Sequence, residues 1–166
     1  IDAGAGAVKF VRIAGGRRPK LLAAGLLELS PEPERRADTA AALNLFLAGK
    51  KLGKRVVTML PGSNLTIRHL TLPKMPPKEL NEAVRWESKR HLSYSLDDAV
   101  IEYLIQDDER KVAGDKYDVL FVAAERTAVL EHLAPFDRAG IKVEAVDAHP
   151  LALRNAFRLR EGPADK

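Results

Sequence analysis

Short apolar runs separated by turn residues dominate the first sixty positions, and such runs are typical of strands. The runs at 9–13 and 20–29 are joined by a connection that contains two glycines and a proline, so they predict a hairpin. The residues before the first run, which include Asp2 and Gly4, predict a further strand and a tight turn. The N-terminal part is therefore expected to form a three-stranded antiparallel sheet.

The next periodic segment predicts a helix. Asp38 is a suitable N-cap and Gly53 a suitable end, and the apolar residues between them recur at helical spacing. The positions expected to face inward are Ala42, Leu45, Phe46, Gly49 and Leu52. An apolar strand follows at 55–60. A helix between a hairpin and such a strand indicates a mixed α/β sheet.

The strand predicted at 65–72 has an irregular apolar pattern. Its apolar residues change parity between Ile67 and Leu70, which favours either a β-bulge or a strand buried on both faces. Three prolines then occur between positions 73 and 77. Because proline interrupts both helices and strands, this segment is the strongest internal boundary in the chain.

Beyond this boundary the pattern predicts a helix, two strands, a helix, a strand and a helix. The two strands, at 100–105 and 119–124, are expected to pair antiparallel through a polar hairpin. Pro135 is expected to kink or restart the helix at 126–139, which Gly140 then ends. The remaining predicted elements are a helix at 78–91, a strand at 142–146 and a helix from Pro150 with Leu153, Ala156 and Phe157 on one face.

One residue interrupts the apolar stripe of the helix at 78–91. That stripe carries Glu87 where an apolar side chain is expected, since its members are Leu80, Ala83, Val84, Glu87 and His91. An ionised carboxylate on a packed face needs a partner, and Arg90, three residues further on, is a local candidate. Alternatively, a small rotation of the helix places Glu87 at the edge of the packed face.

Composition and charge exclude several function classes. The chain has 166 residues, 46% of them hydrophobic, which is enough for one core or for two small subdomains. It has no cysteine and no apolar run near the ~20 residues that cross a bilayer. The net charge of +4 arises from 27 basic and 23 acidic residues that are interspersed, so a nucleic-acid-binding stripe is not expected. The four histidines lack metal-ligand spacing, and no metal site is expected.

The pattern Asp-x-Gly-x-x-x-x-Lys at Asp2, Gly4 and Lys9 is the motif closest to known site chemistry. The amides of a glycine turn, with Gly6 also present, can hold an anion, and a strand-end carboxylate can hold magnesium-bound water. A glycine hairpin with a flanking acid is also common as a purely structural turn. The residues alone therefore leave nucleotide binding and a structural hairpin both open.

Four segments together make the chain resemble the type IV pilus assembly protein PilM family. The Arg-Trp-Glu helix and the segment after it are the specific parts, whereas many actin-like proteins share the N-terminal turn. The resemblance extends over nearly the whole chain. The segments are Asp2-Ala3-Gly4 with Val8-Lys9, Leu70 to Pro73 with Met75-Pro76, Arg85-Trp86-Glu87 before Ser93 to Asp98, and Val146-Asp147 with Pro150 to Leu153.

The resemblance implies a mixed α/β fold like that of the actin-like cell-division protein FtsA. A ribonuclease-H-like subdomain 1A would comprise 1–72 and 143–166, and an inserted small α/β subdomain 1C would comprise 73–142. The second half of the actin-like fold is absent from the chain, which is therefore expected to be a portion of a longer one.

The same resemblance places ATP phosphates and magnesium at Asp2, Gly4, Gly6 and Lys9 in the longer protein. Ala5 and Ala7 stand where the family usually has serine, so hydroxyl contacts to phosphate are lost. No second Asp-x-Gly hairpin follows Asp147. The chain as given is therefore expected neither to bind nucleotide tightly nor to hydrolyse it.

The function implied is that of a cytoplasmic platform, peripheral to the inner membrane, in type IV pilus assembly. It would bind the N-terminal cytoplasmic peptide of a bitopic PilN-like protein in a groove between the subdomains, alongside other pilus-machine proteins, with self-association left open. Arg85, Trp86, Glu87 and Arg90 are predicted to form or support that groove, with Trp86 as a core anchor being the alternative. Competing interpretations are a competent ATPase in a longer chain, the cytoplasmic L-protein domain of type II secretion, and a nucleic-acid-binding domain.

Overall fold

The computed structural model has two compact units, which comprise Ile1–Pro61 with Leu130–Lys166 and Gly62–Val129. They are called the first and the second unit below, and each is described by itself. The residues that the structure describes are 1–4, 6–16, 19–29, 39–49, 55–106 and 115–161, with the backbone alone at 158–161.

The first unit contains the predicted three-stranded sheet. Strands β1 (Asp2–Ala3), β2 (Ala7–Ala14) and β3 (Lys20–Glu28) pair antiparallel in that order. The register of β2 against β3 shifts between Arg12 and Ile13. The prediction of a mixed α/β fold is confirmed, because a parallel pair and helices accompany this antiparallel sheet.

The parallel pair consists of β4 (Val57–Leu60) and β8 (Ala145–Ala148). Strand β8 begins three residues later than the strand predicted at 142–146. The helices of this unit are α1 (Thr39–Leu47), α4 (His149–Glu161) and most of α3 (Arg126–Arg138).

The core of the first unit lies between the antiparallel sheet and the helices. The rings of Phe10 and Phe46 meet edge to face with their centroids 5.4 Å apart. Gly25, opposite Phe10 in the sheet, leaves room for both rings. The buried members of this core are Val8, Phe10, Ala42, Leu43, Leu47, Val56, Phe136 and Ile141.

Helix α1 is rotated relative to the stripe predicted for it. Leu45 was expected to face inward but is 76% exposed, whereas Leu43 and Leu47 are buried. The two leucines that do pack share one face with Ala40 at a spacing of three and four residues. Leu52, Asp38 and the expected end at Gly53 lie outside the described residues, and Gly49 has a positive φ of 70° just after the helix.

Helices α3 and α4 each differ from the sequence prediction in one respect. Pro135 lies within α3 and does not end it, and Gly140, at φ 65°, follows the helix as expected. In α4, Leu153 and Phe157 were expected to face inward, yet both are more than half exposed. The apolar spacing of α4 was therefore correct, but the face it defines is not buried.

The second unit is a three-stranded sheet packed on one helix. Strand β5 (Thr66–Pro73), helix α2 (Pro77–Ser88) and the hairpin strands β6 (Ala99–Gln106) and β7 (Lys116–Glu125) make up the unit. The sheet order is β5-β7-β6, with both pairs antiparallel. The buried residues between sheet and helix are Leu70, Leu72, Leu80, Val84, Val119, Phe121 and Ala123.

Two details of this unit differ from expectation. The β-bulge predicted in β5 is wrong, because β5 pairs with β7 without a register shift from Thr66 to Pro73. Its irregular pattern arises because Ile67 lies on the sheet face opposite to Leu70 and Leu72. β5 also pairs within the second unit, although the sequence placed it before the boundary at Pro73. The subdomain limits at 72 and 142 stay a prediction.

In the part of the chain described here, none of the helices is both long and apolar enough to span a membrane.

Candidate functional site

The N-terminal hairpin brings two of its predicted residues together. Asp2 on β1 lies directly opposite Lys9 on β2, and Lys9 Nζ is 3.3 Å from Asp2 Oδ2. The Lys9 side chain is exposed, so this ion pair is screened by water and adds little stability. The hairpin therefore presents one carboxylate and one ammonium group that already neutralise each other.

One glycine amide of this hairpin is engaged within the hairpin itself. The Gly4 amide donates to the carbonyl of Ala7 at 3.0 Å, which closes the turn and occupies that donor. Gly4 is not among the glycines with positive φ, which are Gly16, Gly49 and Gly140 in the described residues. The Gly4 amide is therefore engaged within the hairpin, while phosphate binding at Asp2, Gly4, Gly6 and Lys9 stays a prediction.

A second polar pair of the first unit was missed by the sequence reasoning. Thr58 on β4 is completely buried, and its hydroxyl lies 2.9 Å from Nε2 of His132 on α3. Burial lowers the pKa of His132, and the Asp2 carboxylate opposes this shift. His132 was not among the residues predicted for a site. A threonine within the apolar strand 57–60 was the available signal, since a buried hydroxyl requires a partner.

The outer side of α2 carries the most unusual surface residue of the second unit. Trp86 is the single tryptophan of the chain and is 65% exposed. The Lys89 ammonium lies 5.8 Å from its ring centroid, within the range of a cation–π contact. The alternative in which Trp86 anchors the core is wrong, because Leu80, Val84 and Ser88 form the buried side of α2.

Arg85 ties α2 to the segment that follows it. Its guanidinium donates to the carbonyl of Leu96 at 2.6 Å and lies 3.8 Å from a carboxylate oxygen of Asp97. Within the same segment, the Ser95 hydroxyl donates to the Asp98 carboxylate at 2.7 Å. Arg85 therefore holds residues 96–97 beside the helix through these two contacts.

The Glu87 carboxylate has a nearby partner of opposite charge. Its carboxylate pairs with the guanidinium of Arg90, as expected for residues three apart on a helix, and it is partly exposed. Ser88, not Glu87, occupies the buried position, and its hydroxyl donates to the Arg85 carbonyl at 2.8 Å. The helix is thus rotated so that Glu87 lies at the rim of the packed face.

The four residues predicted for partner binding consequently share one short stretch of helix but have different surroundings. Lys89 and Arg90 lie just after the C-terminus of α2, where positive charge is favoured by the helix dipole. Lys89 contacts the exposed Trp86 ring, whereas Arg85 and Arg90 are paired with the carboxylates of Asp97 and Glu87. The structure shows this surface, while its role in partner binding stays a prediction.

A groove of about 280 Å³ lies between α2 and β6 in the second unit. Helix residues form one wall and strand residues the other. Its lining comprises Asn81, Val84, Arg85, Ile101, Glu102 and Tyr103. This groove differs from the one predicted between the subdomains, although Arg85 lines it. Sequence reasoning did not single out Glu102 and Tyr103, because nothing in a strand pattern indicates which of its residues lie at a sheet edge.

In the second unit, His69 lies beside a carboxylate and Tyr94 lies in a partly buried position. The His69 Nδ1 atom lies 3.0 Å from an Asp118 carboxylate oxygen across the β5–β7 pair. Burial raises the pKa of Tyr94, the Glu125 carboxylate raises it further, and the Thr66 side chain opposes both. Within the described residues, no group of three or more His, Asp or Glu side chains is arranged to hold a metal ion.

Comparison with known proteins identifies relatives of this chain. The family model for type IV pilus assembly protein PilM matches residues 41–162. Among solved structures, the PilM-PilN type IV pilus biogenesis complex matches with a TM-score of 0.77 and 28% sequence identity over 96% of this chain. No curated protein matches the chain.

A second solved structure shows likeness in fold alone. It is the cytoplasmic domain of EpsL, an inner-membrane component of the type II secretion system of Vibrio cholerae, with a TM-score of 0.54 and 11% identity over 89% of this chain. The chain spans about half of each solved relative, 49% of the first and 54% of the second.

Proposed function

The chain belongs to the type IV pilus assembly protein PilM family, and on that premise we propose that it is a scaffold that binds a membrane-anchored partner. The partner proposed is a bitopic inner-membrane protein similar to PilN, recognised through its N-terminal cytoplasmic peptide. The chain would then act at the cytoplasmic side of the inner membrane and be held there by this partner. Support comes from the similarity to the PilM component of a PilM-PilN complex.

The exposed Trp86 is the single observation that carries the assignment to α2. A large aromatic side chain on the outer side of an amphipathic helix leaves apolar area in contact with water, and a partner that covers it gains the free energy of burying that area. Tryptophan and arginine are the residues most enriched among those that dominate binding energy at protein interfaces. Trp86 with Arg85 and Arg90 therefore forms the proposed centre of the partner surface, and Glu87 holds Arg90 in place through their ion pair.

The test measures binding of a synthetic peptide with the sequence of the partner's cytoplasmic N-terminus. Trp86→Ala is expected to weaken binding by roughly tenfold or more, as truncation of a central aromatic anchor does. Leu45→Ala is the matched control, because Leu45 is an apolar side chain of the first unit that is also more than half exposed. Unchanged affinity in Trp86→Ala, with circular dichroism showing an intact fold, would exclude α2 as the binding surface.

We propose a scaffold rather than an enzyme for this chain. The described hairpin supplies a carboxylate and an ammonium group, but the Gly4 amide is already used and the two charges already pair. In a longer protein, these residues would supply only the contacts to the phosphates and magnesium of an ATP site. The fold similarity to EpsL gives no observation that favours a role in type II secretion over one in pilus assembly.

A further inference from the structure

We propose that two copies of this chain associate through β3, at the edge of the sheet in the first unit. This inference goes beyond the proposed binding of a membrane-anchored partner and uses no residue of α2. The sheet order β1-β2-β3 makes β3 an edge strand, and within the described residues it pairs with β2 alone. An edge strand presents unpaired backbone N–H and C=O groups along its free side, and another strand can pair with them.

Strand β3 has little of the protection that normally prevents such pairing. Its sequence is Lys-Leu-Leu-Ala-Ala-Gly-Leu-Leu-Glu, in which only the first and the last residue are charged and none is proline. The register shift against β2 leaves Leu22 without an opposite residue, which is a β-bulge. Beyond this bulge, residues 23–28 pair with β2 without interruption. Most of the edge is therefore regular and open to a further strand.

The strand also exposes apolar side chains to water. Leu21 is 63% exposed, Leu22 is 48% exposed and Leu26 is 57% exposed. A neighbouring strand that covers these side chains gains the free energy of burying their apolar area. Exposed leucines on an edge without internal charge thus favour association with another strand.

The order of residues along β3 makes the strand complementary to itself. When two β3 strands run antiparallel with Ala24 opposite Ala24, the pairing has twofold symmetry, so each unlike pair occurs twice. Charged residues then oppose residues of the other charge, leucines oppose leucines, and small residues meet near the axis. The pairs are Lys20 with Glu28, Leu21 with Leu27, Leu22 with Leu26 and Ala23 with Gly25.

Charge complementarity favours a second copy in this arrangement over other occupants. Lys20 and Glu28 are exposed, and within the described residues neither forms an ion pair. The antiparallel dimer gives each of these groups a partner of opposite charge, and such cross-strand pairs are favourable. Two β3 strands in parallel would instead place Lys20 beside Lys20. An unrelated strand would need an acid and a base at these same two positions.

The first experiment measures self-association of the 166-residue chain by analytical ultracentrifugation over a range of concentrations. A two-strand interface is small, so wild type is expected to show a concentration-dependent equilibrium between monomer and dimer. Lys20→Glu and Glu28→Lys each turn two attractions into two repulsions and should raise the dimer Kd by about tenfold or more. Lys142→Glu makes the same charge change as Lys20→Glu at another exposed position of the first unit and should leave Kd unchanged.

A mixture of the two charge variants separates specific pairing from a general effect of charge. A dimer of one Lys20→Glu chain with one Glu28→Lys chain has opposite charges at both ends of the paired strands. The mixture should therefore dimerise as wild type does, although neither variant does so alone. Circular dichroism of each variant checks that the fold is intact. Loss of association in both variants without recovery in the mixture would overturn the antiparallel pairing.

The second experiment uses the absence of cysteine from the chain. In the proposed pairing the two copies of residue 24 lie opposite each other, with Cα atoms about 4.5–5.5 Å apart, which a disulfide can span. Mild oxidation of Ala24→Cys should therefore give a covalent dimer. Gly15→Cys is the control, because Gly15 follows β2 at the far end of the hairpin and does not meet its own copy.

Two results would overturn the proposal. One is a wild type that stays monomeric at every concentration together with no covalent dimer of Ala24→Cys. The other is a dimer that neither charge variant weakens and that Ala24→Cys does not trap, since it would place self-association on a different surface. Neither result involves the partner peptide, so the proposed function is tested separately.

Discussion

His132 shows how a single buried contact changes the behaviour of a residue that its sequence position leaves ordinary. Its imidazole lies against the fully buried Thr58 hydroxyl and near the ring of Phe136, with ring centroids 5.7 Å apart. Burial disfavours the charged imidazolium, so the pKa of His132 is lower in the folded protein than its usual 6.5. The unfolded chain therefore binds this proton more readily than the folded chain does.

The consequence is a loss of stability in acid. Above the unfolded pKa of 6.5 His132 is neutral in both states, and as the pH falls below it the free energy of unfolding should decrease. The decrease between about pH 7.5 and about pH 5.5 should be smaller in His132→Gln, as measured by urea unfolding followed by circular dichroism. His149→Gln, at an exposed histidine, should retain the wild-type decrease. Equal pH dependence in wild type and His132→Gln would show that burial of His132 is not the cause.

Other residues show where sequence reasoning succeeds and fails. The interruption at Glu87 was visible in the sequence, and its partner Arg90 was predictable because both lie on one helix. The exposure of Trp86 was not predictable, since an aromatic residue beside an apolar stripe is usually buried and a small rotation of the helix decides the outcome. The pairing of Thr58 with His132 depends on residues 74 positions apart, which no local pattern encodes.

At the scale of elements, the hairpin of β2 and β3 depends on one position without a side chain. A Cβ atom at Gly25 would lie 2.5 Å from the Phe10 ring and 2.9 Å from the Phe46 ring. Both distances are below any normal contact, and both rings are part of the core between the hairpin and α1. Gly25 is thus needed for packing and not for backbone conformation.

Gly25→Ala is therefore expected to lower the free energy of unfolding by about 1–3 kcal/mol, the usual cost of overpacking a core. Gly15→Ala is the matched control, because it lies in the same hairpin with nothing within 4 Å of an added Cβ. The control should be neutral or slightly stabilising. Denaturant unfolding of both variants distinguishes them, and equal stability would mean that the Phe10 and Phe46 rings move aside at no cost.

The elements also differ in how well their sequence predicts them. The strands β2, β3, β6 and β7 and the helix α2 were predicted because turn residues bound clear apolar runs. The buried face of α1 was not predicted correctly, because alanine and leucine occupy most of its positions and several faces of the helix are equally apolar. Pairing of β5 with β7 could not be predicted, since β5 precedes the proline-rich segment and joins its partner across intervening elements.

At the scale of the whole molecule, the expectation of weak nucleotide binding follows from the groups that the N-terminal hairpin offers. The Asp2–Lys9 pair and the closed turn at Gly4 leave few free groups for a triphosphate. Calorimetric titration of the chain with magnesium and ATP is therefore expected to give no saturation at about 1 mM nucleotide, which corresponds to about −4 kcal/mol at best. Lys9→Ala serves as the control for any weak signal. Saturable, magnesium-dependent binding at micromolar ATP that Lys9→Ala abolishes would contradict this expectation.

The family and the fold are shown for this chain, whereas the proposed scaffold role rests on the surface of the second unit. The sequence identified the family through segments spread over both units, because such segments together are far more specific than any one of them. The surface of α2 that is proposed to face a partner could be located only from the exposure of Trp86.

The most direct test of peptide binding at α2 uses Trp86 as its own reporter, because it is the only tryptophan in the chain. Its emission is recorded while a tryptophan-free peptide from the cytoplasmic N-terminus of the PilN-like partner is added. We expect a saturable blue shift, since a partner that covers an exposed indole removes it from water. Saturable binding of the peptide by calorimetry with no change in Trp86 emission, or no binding at all, would contradict the proposed partner surface.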